Sequence, residues 1–189
     1  PVVLSGNELT VSGACDDTNL DTNVEVTGNN VTVEGFDIND DDTGGNGIVD
    51  VDAENTTLQQ LTVDQQANGD TGIDIVSGPN SAVTTVDDVT VNAASANLVE
   101  TGDTGLALDT QADEDVVVTD STFVGHETQI DGNDNVDEGA LLDANNFAGE
   151  DAQSAVALNT DGEVVGNAIY GSINQADGAA SADGAINVS

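Results

Sequence analysis

Two apolar residues set five apart recur six times along the chain, as Val33/Ile38, Leu58/Val63, Val86/Val91, Val118/Phe123, Leu142/Phe147 and Val164/Ile169. A polar or small step lies between the two members of each pair, as in Val31–Ile38, VTVEGFDI. A simpler alternating segment precedes each copy: Val24/Val26, Val49/Val51, Ile73/Ile75, Leu106/Leu108, a degraded version ending at Ile130, and Val156/Leu158. It returns once more as Ile186/Val188. Period-two alternation over three to five residues, broken by Gly, Asn and Asp, predicts short strands. The one helix-like stretch, Asn92–Glu100, is short and lies between two of them. Counted from Val33, successive copies are 25, 28, 32, 24 and 22 residues apart. Repeats of this length mark a stacked array. Hairpin sandwiches would need tight Asn-Gly or Asp-Gly turns between paired strands and would not hold one long period.

The pattern predicts an all-β chain folded as a single-stranded, right-handed parallel β-helix, a solenoid of about six to seven coils. Strands of successive coils would stack about 4.8 Å apart, so that equivalent side chains lie on one another. One domain is expected over 1–189, with a strand-like cap region at 1–20, regular coils over 20–170, and a loop plus terminal strand at 171–189. Turns of variable length are expected to project from one side, at Asp37–Asn46, Asn92–Thr104 and Gly171–Gly184. An uncovered solenoid end exposes a sheet edge. Strand-like ends therefore predict continuation, either in a longer chain or by end-to-end self-association.

Charge narrows the setting. The 37 Asp and Glu residues face no Lys or Arg, a formal charge of −37. High net charge ordinarily predicts disorder, but a disordered acidic chain has no reason to carry six in-register aliphatic pairs. At 37 % apolar and 2 % aromatic residues, the core must be aliphatic and thin. Concentrated salt shortens the Debye length to about 3 Å at 1 M and mutes the repulsion. Without a cationic side chain, a phosphate-neutralising nucleic-acid surface cannot be built, and anionic lipid headgroups are excluded for the same reason. No apolar run approaches the length of a membrane span. A single cysteine, Cys15, cannot form an internal disulfide and is expected as a small buried hydrophobe.

GNNVTVEGFDI (28–38), GIDIVSGPN (72–80) and ALLDANNFAG (140–149) resemble the parallel β-helix repeats of the pectate-lyase-like superfamily, especially the short copies of NosD-like and archaeal surface proteins. The resemblance spans roughly residues 20 to 170. It implies that Gly47, Gly72 and Gly105 open the first strand of a coil, and that a later strand bends at Phe36, Leu61, Val89, Ser121, Asn145 and Asn167. Only the last two could start the asparagine ladder of that family. Its lyases use Arg or Lys as the base, which this chain lacks. Pieces of the polygalacturonase signature occur as Asp87-Asp88, Gly125-His126 and Asn159-Thr160-Asp161-Gly162, but in the wrong order and with no basic element.

His126 is the only imidazole, and a turn-exposed or glycan-contacting role is expected, since Glu127 beside it would face the other way. Asp131, Asn133, Asn135, Asp137 and Glu138 space oxygens as calcium loops do, predicting a Ca2+ or Mg2+ site. Val136 replaces the glycine of an EF-hand, and Leu142 its twelfth-position carboxylate. Asp37–Asp42 is expected as a second acidic turn. Asn30, Asn55 and Asn187 each open an N-x-S/T sequon. The expectation is a non-enzymatic extracellular or virion-surface rod of an extreme halophile, structural, adhesive or filament-forming, with cations screening its carboxylates. The alternative is a carbohydrate-binding or glycan-cleaving β-helix, including a viral tail spike.

Overall fold

A computed structural model of the chain describes residues 1–14, 18–40, 47–66, 71–76, 83–93, 103–109, 115–126, 128–132, 140–148, 154–158, 163–170 and 186–188. The chain runs through three strands per coil. The first coil holds β1 (Val2–Leu4), β2 (Thr10–Ser12) and β3 (Asn19–Leu20), the second β4 (Val24–Val26), β5 (Thr32–Glu34) and β6 (Asp37–Asp40). The third holds β7 (Gly47–Val51), β8 (Thr57–Gln59) and β9 (Thr62–Gln65), the fourth β10 (Thr71–Val76), β11 (Val83–Asp87) and β12 (Thr90–Asn92). β13 (Thr104–Asp109), β14 (Asp115–Thr119) and β15 (Thr122–Val124) make the fifth; β16 (Thr128–Gly132), β17 (Ala140–Asp143) and β18 (Asn146–Ala148) the sixth. β19 (Ser154–Leu158), β20 (Glu163–Val165) and β21 (Ala168–Tyr170) complete a seventh, and β22 (Ile186–Val188) follows.

Every strand pairs in parallel with its counterpart one coil away. This yields an eight-stranded first sheet ordered β1-β4-β7-β10-β13-β16-β19-β22, a seven-stranded second sheet from β2 to β20, and a seven-stranded third sheet from β3 to β21. The chain is a parallel β-solenoid. Register follows the apolar pattern: Val33 pairs with Leu58, Val86 with Val118 and Leu142 with Val164 in the second sheet. Ile38 pairs with Val63, and Phe123 with Phe147, in the third. The two members of each sequence pair therefore lie on different sheets either side of a corner, rather than on one bent strand.

The interior is a continuous aliphatic column running from Leu4 to Val156. Each fully buried Val, Leu, Ile or Phe contributes roughly 1.5–3 kcal/mol. The Phe123 and Phe147 rings stack one coil apart, with centroids 5.7 Å apart and planes at 24°.

Several expectations are corrected. Within 1–20, the expected strand-like cap region, β1, β2 and β3 pair with the second coil, Val11 lying opposite Val33 and Leu20 opposite Ile38. The expected turn from Asp37 begins instead with a strand, since Asp37–Asp40 is β6 and pairs with β9. Ile130 is not degraded: β16 pairs on both sides and Ile130 is fully buried. Gly72 and Gly105 share one column, whereas Gly47 pairs with Thr71, one residue out of line. Cys15 and residues 94–100 lie outside the described residues.

From the second coil to the seventh, the chain turns from the second sheet to the third through one left-handed residue, in succession Gly35, Gln60, Asp88, Asp120, Ala144 and Gly166, with φ between 48° and 73°. The next residue points inward. In the early coils it is apolar (Phe36, Leu61, Val89) and buried; in the later ones it is Ser121, Asn145 and Asn167. Asn167 Oδ1 accepts the Asn145 N–H at 2.8 Å, Asn145 Oδ1 accepts the Ser121 N–H at 2.9 Å, and Ser121 Oγ accepts the Val89 N–H at 3.2 Å. The Asn145 and Asn167 amides donate to the carbonyls of Val118 and Leu142, at 2.9 and 2.8 Å. The ladder foreseen at two asparagines thus extends through a serine, whose short hydroxyl also satisfies a buried corner N–H.

Candidate functional site

Outward side chains of the solenoid form straight columns, and their composition is ordered. On the second sheet, register aligns Ser12, Glu34, Gln59, Asp87, Thr119 and Asp143. Carboxylates alternate with uncharged residues throughout this column. Ser12 Oγ donates to Glu34, Gln59 Nε2 donates to Glu34 Oε2 at 2.5 Å, and Thr119 Oγ1 donates to Asp87 Oδ1 at 2.7 Å. The hydrogen bond from Ser12, then that from Gln59, holds the Glu34 carboxyl below its ordinary pKa. The third sheet repeats the device. Asp64 lies between Asn39 and Asn92, and the Asn92 amide donates to it at 2.8 Å. In a chain without Lys or Arg, amides and hydroxyls one coil away stand where salt-bridge partners would.

The first sheet breaks the rule. Glu25, Asp50 and Asp74 stack directly on one another. Burial, then the negative charges of Glu25 and Asp52, raises the Asp50 carboxyl above its ordinary pKa. Asp50 Oδ1 is buried without a hydrogen-bond partner among the described residues. Asp131, expected as the first ligand of a calcium loop, is in strand β16, between Ala107 and Ala157. Asn133, Asn135, Asp137 and Glu138 lie outside the described residues, as do 41 and 42 of the expected second acidic turn. Among the described residues, no group of three or more His, Cys, Asp or Glu could hold a metal ion.

His126 is not exposed. It has no accessible surface, and its Nδ1 lies 2.9 Å from Gln129 Oε1, which fixes the ring with a proton on Nδ1. Gln129 Nε2 donates in turn to the carbonyls of Ala148 (3.3 Å) and His126 (3.4 Å). Gly105 makes the space: a Cβ there would meet Gln129 O at 2.5 Å, Phe123 Cδ1 at 3.0 Å and His126 Nδ1 at 3.2 Å. His126 Nε2 is buried without a partner among the described residues. Desolvation lowers the imidazole pKa to about 4, against a smaller opposing effect of the Gln129 bond. The ring is a neutral core residue, out of reach of a substrate.

Asp87 accepts from Thr119, and Asp88 forms the left-handed corner; 159–162 lie outside the described residues. The structure therefore does not bring Asp87-Asp88 and His126 together: His126 is buried, and only Asp88 borders an open concavity. Among the described residues, two open concave places stand out. One, of about 450 Å³, is lined by Asn19, Asp21, Asn39, Asp40 and Gln66 on the third sheet. A smaller one, of about 250 Å³, follows the second corner past Gly35, Phe36, Asp37, Gln60, Thr62 and Asp88. Phe36, Phe123 and Phe147, three of the four aromatics, are buried and supply no exposed platform. Asn30 and Asn55 of the sequons are exposed, whereas Asn187 lies in β22 opposite Ala157. Sequence reasoning missed the interleaved columns and the Gln129 partner. The signal for the first was present in the recurring Thr-apolar-acid or Thr-apolar-amide triplets such as Thr32-Val33-Glu34 and Thr57-Leu58-Gln59.

Comparison with family models, with curated proteins and with solved structures finds no match.

Proposed function

We propose that the chain is a non-enzymatic rod of an extracellular or virion surface, a structural or adhesive element working in concentrated salt and associating end to end along its axis. The observation that carries this reading is the interleaving of surface carboxylates with uncharged donors from coil to coil. It is an arrangement for holding a very acidic surface in shape, and it leaves the donors engaged within the rod. The only imidazole is spent on the interior, which supports a structural over a catalytic role. Three parallel sheets with an Asn-Ser ladder at a bend support kinship with the NosD-like and archaeal surface solenoids of the pectate-lyase-like superfamily. A halophilic source is proposed from the charge alone. Electron microscopy of the protein in molar NaCl tests the assembly: regular fibres are the expected result, and a monodisperse population of monomers would remove it.

Ca2+ or Mg2+ binding over Asp131–Glu138 stays a proposal of the same kind. A fall in melting temperature on chelation at fixed ionic strength is its expected signature. A second reading, binding of a neutral glycan, is favoured by the cleft beside Asn39, where amides and carboxylates converge. Glycan-array binding lost in Asp21→Ala would support it over the purely structural role.

A further inference from the structure

The corner between the first and second sheets carries two of the three sequons, and register sets them one coil apart. Thr32 pairs with Thr57, so Asn30 and Asn55, each two residues earlier, occupy equivalent positions. Both are exposed, and both are left-handed, at φ 58° and 55°. Asn tolerates that conformation better than most residues. Glu8 adopts it too, at φ 56° and with its N–H donating to Asn29 O, so the turn itself does not demand asparagine. The corner backbone is held firmly. Asn30 N–H donates to Glu54 O at 2.9 Å, and Asn29 Oδ1 accepts the Glu54 N–H at 3.2 Å. The sequon amides are left over. Asn30 makes no side-chain hydrogen bond among the described residues. Asn55 uses only Oδ1, accepting the Val83 N–H at 3.3 Å, so its Nδ2 is uncommitted.

We infer that Asn30 and Asn55 are acceptors for N-linked glycans, which would lay a neutral, hydrated cover along this corner of an otherwise anionic rod. The inference rests on the extracellular reading above. In the transfer, Nδ2 attacks the anomeric carbon of a sugar carried on a lipid diphosphate. The C–N bond forms as the C–O bond to the diphosphate breaks, the lipid diphosphate departs, and the amide proton passes to the transferase's base. The acceptor triplet is read on the chain before it folds; the folded structure decides whether the glycan can be kept. Here each amide leaves an exposed turn, with no ladder bond to break on its behalf. Asn187, within a strand of the first sheet, is not part of the inference.

The test is to secrete the full chain from a host with N-glycosylation, purify it folded in high salt, and map occupied sites by mass spectrometry after enzymatic glycan release. Occupancy at Asn30 or Asn55, lost in Asn30→Gln or Asn55→Gln respectively, and an unchanged melting temperature after glycan removal are expected. A secreted, folded chain unmodified at both positions overturns the inference. So does a glycosylated chain that fails to fold where the double Gln variant folds. Because the host supplies the secretion, either negative result counts against these sites alone and leaves the assembly to be judged by microscopy.

Discussion

Three side chains carry most of what is particular to this solenoid. His126 is neutral when folded, with a pKa lowered to about 4 from 6.5. The folded state therefore gives up stability as pH falls from about 6.5 toward 4, because only the unfolded chain takes up the proton over that window. At 1.36 kcal/mol per unit the loss is about 3 kcal/mol. Urea unfolding at fixed salt across that window should show it, and the slope should shrink in His126→Leu. Asp50 works in the opposite sense. Its folded pKa is raised, so its contribution is favourable below 3.8 and is lost as pH rises through the folded value. Asp50→Asn should accordingly stabilise the chain at pH 7 by thermal melting, and part of the gain should persist in molar NaCl, since salt screens the repulsion from Glu25 and Asp52 but not the larger cost of burial. Asn145 contributes through bonds rather than charge. Asn145→Ala would strand the Ser121 N–H and the Val118 carbonyl in the interior. At about 1–3 kcal/mol for each of the two buried groups left unsatisfied, a loss of roughly 2–6 kcal/mol is expected in chemical denaturation. A variant unfolding as the parent does would show that water takes over both groups.

At the scale of the strand, the sequence disclosed the apolar register and concealed the polar one. Inward positions recur because each must pack on its own counterpart one coil away, so Val33, Leu58, Val86 and Val118 announce themselves by kind. Outward positions on the second and third sheets obey a pairing rule between neighbours, acid against amide or hydroxyl. That rule stays invisible until register says which residues are neighbours. Glu34 next to Gln59 is 25 residues away in the chain. The burial of His126 was illegible for a related reason. It depends on Gly105 in the first strand of the fifth coil, whose missing Cβ leaves room for the ring, and on Gln129 in the first strand of the sixth. Gly105→Ala should thus displace the His126–Gln129 pair and destabilise the fold by about 1–3 kcal/mol, the usual cost of overpacking. If Gly105→Ala melts with the parent, Gly105 is not what makes room for the ring.

For the whole molecule, the question is how −37 charges remain on a compact rod. Coil spacing gives a length scale against which salt can be measured. Carboxylates on neighbouring coils sit about 4.8 Å apart at the backbone. The Debye length is about 10 Å at 0.1 M and 3 Å at 1 M, and it falls to the coil spacing at roughly 0.4 M. Below that concentration each carboxylate interacts with several coils, and above it chiefly with its immediate neighbours. On the second and third sheets those neighbours are mostly Gln59, Thr119, Asn39 and Asn92, which attract rather than repel. Stability should therefore climb steeply up to several tenths molar NaCl and then flatten, as distant repulsion disappears and the local donor bonds persist. Replacing Gln59 with Glu would place Glu34, residue 59 and Asp87 in one unbroken acidic column like that of Glu25, Asp50 and Asp74. The plateau should then shift to higher salt, read from melting temperature against NaCl concentration. An unchanged salt curve would mean that interleaving does not govern how the surface tolerates its charge, and that repulsion is relieved across the faces rather than along the axis.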